Sequence, residues 1–101
     1  MLLGELIARF QDETVANETL LALGDLALTA RVVALASESN ISAGELAVQS
    51  IGHFVNSASN EEWLTLLGQM SRADNPGQVF LRRALLNLAA SRRDIARLAQ
   101  P

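Results

Sequence analysis

Residues 42–63 read SAGELAVQSIGHFVNSASNEEW, and two helix starts lie within them. Ser42 and Ser59 each precede a glutamate by three residues, Glu45 and Glu62. In such a capping box the serine oxygen accepts a backbone N–H bond from the third helical residue, whose carboxylate reaches back to the serine N–H. Between the two starts, Ala47, Val48, Ile51, Val55 and Ala58 recur at helical spacing and leave Gln49, His53 and Asn56 on the other side. The pattern predicts a helix over 43–57 and a second after Ser59, with Trp63, Leu66, Leu67 and Met70 as its apolar stripe.

The same punctuation extends to both ends of the chain. Leu3, Leu6, Ile7 and Phe10 follow the i, i+3, i+4, i+7 rule and predict a helix over about 2–11. Asp12 or Glu13 opens the next, which runs to about Leu23, where Gly24 suits a left-handed helix end. Asp25 then caps a helix over about 26–38. On the other side, the strongest break is Ser71-Arg72-Ala73-Asp74-Asn75-Pro76-Gly77. From Pro76 a helix extends to about Leu98, burying Leu81, Leu85, Leu88, Ile95 and Ala99, with Ser91 a candidate interruption. The expected core unites Leu6, Phe10, Leu35, Ile51, Val55, Leu67, Leu85 and Leu88.

Composition supports an all-α fold, a single compact domain of five or six helices over residues 1–101. Leu and Ala supply 34 of the 101 residues and both favour helix, whereas Tyr is absent and Phe and Trp number three and one. With the glycines counted, roughly 56% of the chain is apolar, above the ~45–50% usual for soluble domains. A domain of this size buries only about 60–70% of its unfolded surface, so apolar surface is expected to remain outside and to favour a homo-oligomer. No apolar run is long enough to span a membrane, and the start Met1-Leu2-Leu3-Gly4-Glu5 lacks a signal-peptide pattern. Together with the absence of cysteine, this predicts a cytoplasmic protein with no membrane association.

The residues offer little chemistry. A lone imidazole, His53, cannot form a triad or a multi-histidine metal site, and it reads as a surface side chain. Glu61 and Glu62 point about 100° apart and are explained by the dipole at a helix start. No catalytic, cofactor-binding or metal-binding residue is therefore assigned. Charge, however, is segregated: residues 1–70 hold nine acids and two arginines, net −7, and residues 71–101 two acids and six arginines, net +4. On the last helix Arg82, Arg83, Arg93 and Arg97 share a sector of about 100°. This basic stripe, with Trp63, supplies the candidate partner-binding residues. Its first-choice counterpart is the acidic front of this chain or of a second copy, ahead of a separate protein partner and of nucleic acid.

Two resemblances rest on these residues. Arg31-Val32-Val33-Ala34-Leu35-Ala36, a polar turn, Ser42-Ala43-Gly44-Glu45-Leu46 and Ile51-Gly52-His53-Phe54-Val55 resemble the two-helix half of ribbon-helix-helix DNA-binding proteins. In that family a strand before the first helix pairs with its twin in a dimer, and its polar, often basic side chains enter the major groove. The stretch in that position here is Thr19-Leu20-Leu21-Ala22-Leu23, which has no basic residue, so the resemblance implies a dimer of related helices more than a DNA reader. Over nearly the whole length, Glu5-Leu6-Ile7-Ala8-Arg9-Phe10, Leu21–Leu28, Glu61–Leu66 and Arg72–Gly77 resemble small bacterial proteins of unassigned function.

The reading favoured by the sequence is a noncatalytic interaction or regulatory protein that self-associates. A DNA-binding regulator of ribbon-helix-helix ancestry and a small-molecule-binding helical module are the alternatives.

Overall fold

Local capping and turn chemistry divides the chain into six helices in the computed structural model, which describes the backbone of residues 3–99 and the side chains of residues 3–92. They are α1 (Leu3–Arg9), α2 (Glu13–Ala22), α3 (Leu26–Glu38), α4 (Ala43–Ser57), α5 (Asn60–Ser71) and α6 (Pro76–Ala99). The described residues contain no strand. Thr19–Ala22, the stretch for which the ribbon-helix-helix resemblance implies a strand, belong to α2.

Short polar side chains start the helices as the sequence predicts. Asp12, Asp25, Ser42, Ser59 and Asn75 accept backbone N–H bonds from Thr14, Leu28, Glu45, Glu62 and Gln78 respectively. Ser59 and Glu62 close a full capping box, each accepting from the other's backbone N–H at 3.1 Å. At Ser42 only half of the expected box forms: its oxygen accepts from Glu45 N–H without the return bond from the Glu45 carboxylate, and its hydroxyl donates to the Glu13 carboxylate, tying the start of α4 to the start of α2. Gly24 ends α2 at φ +66°, as expected of a glycine in the left-handed region. Asn40 does the same for α3 at φ +60°, where Ile41 N–H reaches the Ala36 carbonyl and Asn40 N–H that of Ser37. That pairing is a Schellman ending, and asparagine is among the few side chains suited to it. No break occurs at Ser91, and α6 runs through it.

Two helices organise the packing. α4 lies against α2, α3 and α6, and α6 also packs on α5 and α2. Because α4 is surrounded on several sides, its buried arc is wide: Gly44, Leu46, Ala47, Ser50, Ile51 and Phe54. The sequence stripe overlaps this arc at Ala47 and Ile51 only. Val55, expected in the core, is 39% exposed, since the buried arc extends toward Leu46 and Phe54 rather than toward Val55. Ser50 is buried without penalty because its hydroxyl donates to the Ala47 carbonyl.

An aromatic chain links four segments across the core. Phe10, just past α1, meets Phe80 of α6 edge-on at 6.2 Å, Phe80 meets Phe54 of α4 at 5.9 Å, and Phe54 meets Trp63 of α5 at 5.0 Å. Leu6, Phe10, Ile51, Leu85 and Leu88 are buried as expected, and Leu35 packs half-buried against them. Leu67 is not in the core: it is 43% exposed, while its neighbour Leu66 is fully buried. Adjacent helical residues diverge by about 100°, so α5 cannot bury both against the single layer beneath it. Ile95 and Ala99 lie outside the described side chains.

Candidate functional site

The described arginines of α6, Arg82, Arg83 and Arg92, are each engaged by their own chain. Arg82 Nη1 donates to Asp25 Oδ2 at 2.7 Å, the ion pair found among the described residues. Asp25 thereby serves two ends, accepting from Leu28 N–H at 3.0 Å with one oxygen and from Arg82 with the other. Leu28 N–H foremost and then Arg82 hold its carboxyl below the ordinary value of 3.8. Arg83 Nη2 donates to Gln69 Oε1 of α5 at 3.1 Å, and Arg92 Nη1 to Ser39 Oγ at the end of α3 at 3.1 Å. Since Asp25 precedes α3 and Ser39 follows it, these contacts set α3 and α6 running in the same sense. The side chains of Arg93 and Arg97 lie outside the described residues.

Trp63 sits half-buried, with its ring edge-on to Phe54 and Phe80. His53 is half-buried on α4, beside half-buried Gly52 and exposed Asn56.

The face of α5 opposite buried Leu66 carries a different set of residues. Leu64 is 71% exposed, and within about 80° of it on the helical wheel lie Leu67, Gly68, Ser71, Glu61 and Arg72. Arg72 folds back over this face: its Nε donates to the Gly68 carbonyl at 3.2 Å, and its Nη2 lies 3.7 Å from where a Gly68 Cβ would stand. Glu61 occupies the first turn and Arg72 the C-cap, so opposite charges mark opposite ends of one apolar strip. Sequence reading passed over this face because it followed the stripe of Trp63, Leu66, Leu67 and Met70. The available signal was Leu64, a large apolar residue set apart from that stripe.

A cleft of ≈ 360 Å³ opens between α1, α2 and the loop before α6. Leu6, Phe10 and Val15 line its apolar side, and Arg9, Thr19 and Asp74 its polar side. Its size falls in the lower range of small-molecule sites. No helix of the described residues is long and apolar enough to cross a membrane. No family model, curated protein or solved structure matches this chain.

Proposed function

We propose that this protein is a noncatalytic interaction module that works as a homo-oligomer. The observation that carries the reading is Leu64, a leucine 71% exposed on the outward face of α5, with Leu67 beside it. Burying such surface against a second chain is favourable at ~25 cal/mol per Å² of apolar area, and an exposed apolar strip with charged ends has the composition of a contact site. The arginine stripe of α6 plays a secondary part. Arg82 and Arg83 are engaged within the chain, so a partner meeting them competes with Asp25 and Gln69. Sedimentation equilibrium tests the reading: concentration-dependent association is expected within about 1–500 μM, a range that covers a small interface. A monomer throughout that range contradicts it.

The cleft beside Phe10 favours a second reading, a small-molecule module for a compact ligand with an apolar body and a charged group that Arg9 or Asp74 can meet. A metabolite panel screened by thermal unfolding checks this, since a ligand at about 100 times its Kd adds ~2.7 kcal/mol to stability. No shift with any member of the panel counts against it.

A further inference from the structure

The outward face of α5 carries an acid in its first turn and an arginine at its C-cap. Taking Leu64 as the reference direction, Gly68, Glu61 and Arg72 lie about 40°, 60° and 80° to one side on the helical wheel, and Ser71 and Leu67 about 20° and 60° to the other. Leu66 points away and is fully buried. Along the axis the backbone positions of Glu61 and Arg72 stand ~16 Å apart, and the Arg72 guanidinium folds back to Gly68, one turn in from the end. Neither is ion-paired among the described residues, where the salt bridge is Arg82–Asp25.

We propose that two copies of this chain pair through α5, antiparallel and about a two-fold axis near the middle of that helix. An isologous contact places the same patch on both sides, so residue i meets j and j meets i. Antiparallel packing then sets Glu61 against Arg72 of the partner subunit, and the reciprocal pair forms at the other end. A parallel arrangement would bring Glu61 onto its own twin and Arg72 onto its own. Between the two ion pairs lie Leu64 and Leu67, the exposed apolar residues of this helix. Above Gly68 lies the Arg72 guanidinium, its Nη2 3.7 Å from where a Cβ would stand, so on this side the leucines are flanked by the charge that a carboxylate of the second copy meets. The guanidinium keeps its bond to the Gly68 carbonyl through Nε and retains its terminal nitrogens for a carboxylate.

This pairing rests on the self-association proposed above and names its surface. A contact made by a twelve-residue helix is at the small end of interface sizes, which places association in the micromolar range. The charges set orientation and the leucines supply most of the affinity.

Charge reversal tests the pairing, with sedimentation equilibrium over about 1–500 μM to cover a small interface, and circular dichroism to confirm that each variant is folded. Glu61→Arg alone brings two guanidinium groups together at each end of the contact, and Arg72→Glu alone brings two carboxylates together. Each variant is expected to self-associate at least about tenfold more weakly than the wild type. Mixed together they regain opposite charges across the contact and are expected to associate within about threefold of the wild-type constant, a recovery that like-charge rejection explains and misfolding does not. Leu64→Glu weakens association in every combination. A wild-type protein monomeric throughout overturns both this pairing and the proposed self-association. Association unchanged in all three variants leaves self-association standing and overturns the α5 surface. Weakened single variants without recovery on mixing overturn the antiparallel register.

Discussion

Two glycines of α4 show how much a single position depends on what stands opposite it. A Cβ on Gly44 would come within 2.7 Å of Glu13 Cγ, 3.0 Å of the Glu13 carbonyl oxygen and 3.3 Å of Asn17 Cβ. The Glu13 side chain can turn away, but the carbonyl belongs to the backbone of α2 and moves only if the helices separate. Gly52 has nothing within 4 Å of its would-be Cβ. Gly44→Ala is therefore expected to destabilise the fold by roughly 1–3 kcal/mol through overpacking, partly offset by better helix propensity. Gly52→Ala is expected to stabilise it by ~0.5–1 kcal/mol, because alanine loses less backbone freedom on folding. Urea midpoints of the two variants should move in opposite directions; a shift of the same sign in both would refute the close approach of α2 and α4. In the sequence these glycines are equivalent, two small residues inside one predicted helix.

At the scale of elements, Asp25 joins a local device to a remote one. It caps α3 through Leu28 N–H, which the sequence predicts, and it holds α6 through Arg82, which lies 57 positions away. Both contacts favour the ionised carboxylate and lower its pKa in the folded chain. A group whose folded pKa is depressed contributes stability that is present above its unfolded value and lost as pH falls through the folded value. Asp25→Asn retains an oxygen to cap α3 and loses the charge that pairs with Arg82. Its urea midpoint is expected to fall below that of the wild type at pH 7, with the gap closing as the pH drops below about 4. A gap that persists or widens in acid would mean that Asp25 acts through its shape and not through its charge. The helices themselves were legible to within a residue or two, α3 and α4 at both ends, since caps and breaks act within a single turn. Their orientation was less so: α4 turns Phe54 inward where the stripe pointed to Val55, and α5 buries Leu66 and leaves Leu67 half in water.

The whole molecule measures 44 × 29 × 22 Å with a radius of gyration of 13.4 Å, close to the ~13 Å of an ordinary domain of about 100 residues. Its excess of apolar residues was visible in composition, and seven large apolar side chains, Leu21, Leu26, Val33, Val55, Leu64, Leu67 and Leu86, do stand exposed among the described residues. The segregation of charge was visible too, and its resolution in part was not: Arg82 pairs with the acidic front of its own chain at Asp25, while Arg83 and Arg92 find neutral partners in Gln69 and Ser39. What the sequence determined by itself is the all-α class, the places where helices begin and end, and the surplus of apolar surface. Those follow from interactions within four residues and from composition, which need no knowledge of neighbours. Which arc of α4 is buried, how closely Gly44 meets α2, what Arg82 holds and which leucines of α5 stay in water were decided only in the tertiary structure. Each depends on the helix lying opposite, and that helix comes from a distant part of the chain.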